Sequence, residues 1–173
     1  MTGMDSERLS QRSKQPGHDR TFATSEATFS EVARAALDSD RYAIEDHPRE
    51  LVNLFPGVDG ARDLGVVPEA SVQSLATGRK FFVEVKKQGD RGNAEERACK
   101  HHTVQFYRCL HERFGYDYHP FVTIMCEALA VNPRYTRKAE YFFEPGQYLN
   151  WVDYEPGLLV DYLRERCALW LDD

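Results

Sequence analysis

Behind a polar start, the apolar residues of this chain first fall into helical spacing. In TFSEVARAALDSD, from Thr28 on, Val32, Ala35, Ala36 and Leu37 share one side behind a Thr28 or Ser30 cap, which predicts a helix. DHPRELVNLFPG predicts a second, short helical piece, with Pro48 at its start and Pro56-Gly57 at its stop. Then the period changes. LGVVPEASVQSL, residues 64–75, is rich in β-branched side chains and leads through Thr77-Gly78 into KFFVEVKKQ, an apolar run with charges arriving at its end; the two read as a β-hairpin. GNAEERACKHHTVQFYRCLHERFG returns to the helical period, with Ala94, Ala98, Thr103, Phe106, Tyr107, Leu110 and Phe114 three or four apart and Gly115 as terminator. HPFVTIMCEALAV, residues 119–131, reads as a third strand, and its unbroken apolar stretch from Phe121 to Met125 predicts a place inside the sheet. A short strand at Tyr141-Phe142-Phe143 and a helix from about Pro156 to Leu171 complete the pattern.

The order α, β, β, α, β, α describes an α/β domain with one mixed β-sheet flanked by helices. Residues 1–22 are polar, mixed in charge and nearly free of large apolar side chains, so they are expected to form a disordered tail ahead of a single domain over 23–173. A chain of 173 residues suits one core of that size. No apolar run approaches the roughly 18 to 20 residues that a membrane span needs. The N-terminus lacks the apolar centre of a signal peptide, which points to the cytoplasm and away from membranes. Cys99, Cys109, Cys126 and Cys167 match neither a zinc pattern nor a small disulfide framework and are expected as reduced thiols.

Charge sharpens this picture. The net charge of −6 argues against nonspecific coating of nucleic acid. Yet from Arg79 to Arg108 basic residues outnumber acidic ones, with Lys80, Lys86, Lys87, Arg91, Arg97 and Lys100 in between. A locally basic region in an acidic molecule suits a polyanionic partner bound at one place.

That region also holds candidate chemistry. Two carboxylates on adjacent strands with a lysine two residues after the second form a device for phosphodiester hydrolysis: the carboxylates hold a divalent ion, and the lysine orients the attacking water and offsets developing charge. Here the pieces are Glu69, Glu84 and Lys86. Glu84 and Lys86 are two apart on one strand and leave the same face, while Glu69 lies on the paired strand across the Thr77-Gly78 turn. A bare Glu-x-Lys is common by chance, and its ordinary meaning is a solvated strand end.

The context is more specific. VVPEASV (66–72), FVEVKKQG (82–89) and GNAEER (92–97), in that order and at short spacing, resemble the PD-(D/E)xK nuclease superfamily and, within it, the EcoRI- and MunI-type type II restriction endonucleases. The resemblance covers residues 64–110 and implies a PD-(D/E)xK restriction-endonuclease-like core. It implies Mg²⁺-dependent cleavage of double-stranded DNA, with Mn²⁺ as a substitute, at a palindrome centred on AATT by a homodimer. Glu69, Glu84 and the Val85 carbonyl would hold the metal, with Lys86 beside the attacking water. The GNAxER segment would open a helix that enters the major groove, so that Gly92, Asn93, Ala94 and Arg97 approach the bases, Glu96 orients Arg97, and Lys87, Arg91 and Lys100 lie along the DNA. The residue types suit those roles: Asn can bond adenine through N6 and N7, Arg donates to purine N7, Ala can touch a thymine methyl, and glycine permits close approach.

The family pattern has Pro-Asp where this chain has Pro68-Glu69, the same charge on a longer stem. Two alternatives therefore stay open: a DNA-binding protein with weak or lost cleavage, and a structure-selective repair nuclease on the same fold. Asp59 or Asp63 could serve as a substitute ligand, although each reads more simply as a turn residue. His101-His102 could reach phosphates or pack inward. Arg134, Arg137 and Lys138 could form an outer-base loop or an ordinary solvated surface.

Overall fold

A computed structural model describes residues 16–57 and 64–172. Its centre is a five-stranded sheet in the order β1-β2-β3-β4-β5. The strands are β1 (Tyr42–Asp46), β2 (Ala70–Ser74), β3 (Lys80–Gln88), β4 (Val122–Glu127) and β5 (Tyr148–Asn150). β1, β2 and β3 form an antiparallel meander, and β3, β4 and β5 run parallel. At the β2–β3 turn Gly78 has φ +76, a conformation that glycine adopts without steric cost. Each parallel step needs a crossover. The first carries α2 (Ala94–Ala98), a 3-10 turn at Cys99–His102 and α3 (Val104–Phe114); the second carries α4 (Ala128–Val131) and α5 (Pro133–Phe142).

Alternation along β3 sends its side chains into two layers. Phe81, Val83 and Val85 pack with Phe29 and Ala33 of α1 (Pro16–Ala36) and with Leu159, Leu163 and Cys167 of α6 (Pro156–Trp170). Phe82 points the other way, into Leu51, Leu54, Phe106, Leu110 and Phe121. A third cluster joins Met125 and Leu129 to Ala94 and Ala98 of α2 and to Tyr135 and Ala139 of α5. Glu84 and Lys86 share the face of Phe82, beside the third cluster. No described helix is long and apolar enough to cross a membrane.

The mixed sheet, β3 and α6 follow the sequence pattern closely, and the other elements depart from it for identifiable reasons. α1 begins at Pro16, within the stretch expected as tail, while residues 1–15 lie outside the described residues. β1 was not expected: its exposed edge shows little alternation, and it is held by pairing Tyr42–Asp46 with Ser74–Ala70. The piece after Pro48 forms turns instead of a helix, because Leu51 and Leu54 are buried against Phe82 from a compact loop. The long helix expected from Ala94 to Phe114 is broken at Thr103, whose extended backbone (ψ 148) and side-chain hydroxyl cap a new start by accepting from the Phe106 N–H at 3.1 Å. The third strand stops at Glu127, where φ turns to +57 and α4 begins. Tyr141-Phe142-Phe143 is not a strand. Asn132 accepts from the Arg134 N–H at 2.9 Å and Pro133 sits in the first turn, so those aromatics end α5, and the fifth strand lies later, at Tyr148–Asn150.

Phe121 is fully buried where the layers meet, stacked on His101 at 4.7 Å and Phe82 at 5.3 Å, with Phe106 edge-on at 5.1 Å. Phe121→Ala is expected to destabilise the fold by about 3–5 kcal/mol. A urea titration checks this: the midpoint should fall with an unchanged slope, and a loss below about 1 kcal/mol would contradict the packing described.

Candidate active site and nucleic-acid interface

The site lies where β2 starts. Ala70 is the first residue of the β2–β3 ladder, paired with Val83, and one further step places Glu69 opposite Glu84. The Glu69 backbone is anchored on its other side, its carbonyl accepting from the His47 N–H at 2.9 Å. Its side chain then takes the place of the missing strand: Oε2 accepts from the Val85 N–H at 3.3 Å, and Oε1 lies 3.4 Å from Lys86 Nζ. Lys86 Nζ also pairs closely with Glu84 Oε1. One ammonium thus bridges two carboxylates whose side chains are 15% and 7% exposed. Arranging two acids and a lysine on the same face follows from the two-residue strand period and the antiparallel register.

Burial and the Glu84 carboxylate together raise the Glu69 pKa well above the usual carboxylate range. Burial pushes Glu84 the same way, but the bond it accepts from Glu69 and the Lys86 charge outweigh it and hold Glu84 low. Burial works to lower Lys86, and the two carboxylates overcome it and raise the lysine instead. The two carboxylates therefore titrate as a pair biased towards retaining a proton, beside a charged lysine.

These donors suit a hard divalent cation. Two carboxylates offer more acceptor sites than one ammonium can fill. The Val85 carbonyl points to the same strand edge as its N–H, beyond the start of β2, where no strand partner takes it. Among the described residues no group of three His, Cys, Asp or Glu side chains could hold an ion. A cation here would thus keep several waters, as Mg²⁺ does.

β3 leads from this centre into the loop that opens α2. Asn93 is the N-cap residue of α2 but makes no side-chain capping bond. Tyr135 of α5 donates to the Asp90 carbonyl at 2.9 Å, and Lys138 of α5 reaches Glu95 Oε1 at 3.1 Å and Glu96 Oε1 at 2.9 Å. The segment is therefore held from behind. In front, Arg91, Asn93, Arg97 and Lys100 are exposed. A hollow of about 540 Å³ is lined by Lys87 through Asn93 and Arg97, and a smaller one of about 200 Å³ by Lys86, Lys87, Ala94, Arg97 and Lys100. Arg97 belongs to both, which joins the lysine of the carboxylate pair to the exposed start of α2 along one basic surface.

The sequence model of the family described as type II restriction enzyme MunI matches residues 4–172, nearly the whole chain. The chain belongs to this family. A crystal structure of MunI restriction endonuclease in complex with cognate DNA has the same fold, with a TM-score of 0.65 at 20% identity over 84% of this chain and 96% of that one. Among curated protein sequences, none matches the chain closely.

For this MunI-family chain, the structure brings Glu69, Glu84 and Lys86 together and sets the Val85 carbonyl beside them. It puts Gly92, Asn93, Ala94, Arg91, Arg97 and Lys100 around the start of α2, although Ala94 is buried and contributes mainly its backbone and packing. Two expectations change. Glu96 pairs with Lys138 and not with Arg97, because α5 packs behind α2. The Lys87 side chain leaves the opposite face of β3 from Lys86, is 9% exposed, and pairs with Glu127 at 3.3 Å. Asp59 and Asp63 lie outside the described residues. His101 and His102 turn inward, and burial pushes both pKa values down to about 4, so both rings are neutral near pH 7. His102 meets Thr123 Oγ1 at 2.9 Å and Gln147 Oε1 at 3.3 Å, beside the strand position that pairs with Glu84. Arg134 and Arg137 sit exposed on α5 rather than in a loop, and Lys138 is the clasp on α2.

The proton on the carboxylate pair makes cation uptake pH-dependent. A divalent ion needs both groups ionised, so Mn²⁺ affinity is expected to rise as pH increases above the ordinary glutamate range, with close to one proton expelled per ion near neutrality. Calorimetry in two buffers of different ionisation enthalpy measures that proton directly. Binding without proton release would mean that the pair is already doubly ionised.

Proposed function

We propose that this MunI-family restriction endonuclease cuts double-stranded DNA at a palindrome centred on AATT, using a divalent metal and acting as a homodimer. One observation carries the reading: Glu69, Glu84 and Lys86 converge at the start of β2, and Arg97 lines the basic surface that leads from them to the start of α2.

In this reading Glu69, Glu84 and the Val85 carbonyl hold the metal. When bound, Mg²⁺ or Mn²⁺ supplies charge to polarise the scissile phosphate and acidify a water. Lys86, released from its bridge between the carboxylates, keeps its proton and donates to the attacking water and a phosphate oxygen, which stabilises the charge that develops in the transition state. Hydrolysis leaves 5′-phosphate and 3′-hydroxyl ends. Arg91 and Lys100 face the phosphates, while Asn93 and Arg97 reach base edges in the major groove. A palindrome presents the same half-site twice, which a two-fold dimer matches.

Glu69 in place of the family aspartate is compatible with this. Its extra methylene is taken up by a side chain that turns along the start of β2 to reach both the Val85 N–H and Lys86.

Sequencing the ends of plasmid digests with Mg²⁺ and with Mn²⁺ tests activity and specificity together. Staggered ends around a shared AATT are expected. Cutting without a shared sequence favours a structure-selective nuclease, and a gel shift without cutting favours a binding protein. Lys86→Ala should lower the single-turnover rate by on the order of 10²-fold or more while leaving DNA bound. Undiminished cutting would remove Lys86 from the site. Arg97→Ala should cost about 1–3 kcal/mol of preference for AATT over a single mismatch, read as a ratio of cleavage rates.

A further inference from the structure

The start of α2 is held from outside the helix. Asn is among the residues that most favour the N-cap, where its side chain normally folds back onto the helix N–H groups. Here Asn93 occupies that position and makes no such bond. Gln88, the last residue of β3, takes a different amide, the first of the helix: Oε1 accepts from the Ala94 N–H at 2.7 Å. Only the carboxamide oxygen can accept from an N–H, so the contact itself fixes which way the amide points. The fit is close. A Cβ built on Gly92 would stand 2.2 Å from Gln88 Oε1, and Gly92 has φ +147, which side-chain-bearing residues rarely adopt. Glu84, Lys86 and Gln88 alternate along one face of β3. The residue that clasps the DNA-facing segment is therefore on the same strand, on the same face, as the catalytic pair.

We infer that Gln88 is a positioning residue for sequence recognition: by holding the first amide of α2, it fixes the start of α2, and the exposed Asn93 beside it, relative to Glu84 and Lys86. The inference rests on the function proposed above. Without the Gln88 oxygen, the start of α2 loses its tie to β3, and Asn93 loses its fixed place relative to Glu84 and Lys86. The Gln88 Nε2 is buried without a partner among the described residues, so the clasp rests on its acceptor.

Two variants separate the acceptor from the shape. Gln88→Met keeps the length and removes the acceptor, and Gln88→Glu keeps an acceptor. In the DNA-free protein, hydrogen exchange of the Ala94 amide should quicken by on the order of tenfold in Gln88→Met and stay near the parent rate in Gln88→Glu. On DNA, the ratio of single-turnover cleavage of an AATT duplex to that of a singly mismatched duplex should fall by on the order of tenfold in Gln88→Met, the lower range of one lost bidentate base contact. It should be retained in Gln88→Glu, where the added charge weakens both duplexes alike. An Ala94 amide that exchanges no faster in Gln88→Met overturns the clasp. A parent-like ratio in Gln88→Met, or an equal loss in both variants, overturns the role in recognition. If the parent itself shows no preference for AATT, the functional reading fails and this role falls with it, while Ala94 exchange still reports on the contact.

Discussion

Two carboxylates stand opposite each other at the end of a strand, largely withdrawn from water, with a lysine between them, and the surrounding structure is organised by the charge this creates. Isolated buried carboxylates are costly, and two side by side are costlier. The chain offsets that cost with the Lys86 ammonium, the Val85 N–H and a retained proton. None of these is as good a counter-charge as a divalent ion, which could take both carboxylates at once and release the lysine. The pair is thus stable enough to fold and unsatisfied enough to bind a cation, a common condition of sites where function is placed ahead of stability.

The start of β2 makes this possible. The register puts Pro68 opposite Val85, and a proline has no N–H to give the Val85 carbonyl, so the ladder cannot continue there. Because pairing stops at Ala70, the Glu69 side chain fills the vacated position and the Val85 carbonyl is left facing the same space. His47, itself at φ +49, holds the Glu69 carbonyl and so fixes the place where pairing ends.

What could be read from the sequence divides along physical lines. KFFVEVKKQ was legible because it is long, apolar on both faces and ends in charge, so β3 came out with Glu84 and Lys86 on one face. The helix PGLLVDYLRERCALW was legible from its period and its Pro start. Local signals failed where tertiary contacts decided the outcome. YAIED is a strand only because Ser74–Ala70 pairs with it, and the break at Thr103 hides in a stretch whose period runs straight through it. The meeting of Glu69, Glu84 and Lys86 was legible from register. The partners of Glu96 and Lys87 were not: the position of α5 behind α2 depends on the second crossover, and the pairing of Lys87 with Glu127 on the parallel register of β3 and β4, and no local pattern encodes either. Thr103 as a cap, and Asn132-Pro133 as a start, were visible signals that outweighed the neighbouring aromatics.

The second crossover also explains how an acidic molecule presents a basic face. Lys138 from α5 neutralises Glu95 and Glu96 behind α2, and Glu127 takes Lys87 on the far side of β3. The acids of the motif are thus occupied away from the groove, and among the described residues Arg91, Arg97 and Lys100 enter no ion pair. Charge sorting of this kind makes the local field positive whatever the net charge, and the field at a groove is what an approaching polyanion meets. β3 adds the geometry: alternate residues reach the carboxylate pair and the start of α2, and the intervening ones are fixed into the α1–α6 layer. A rigid strand anchored on one face can hold two devices on the other at a constant separation, which is what joining recognition to hydrolysis requires.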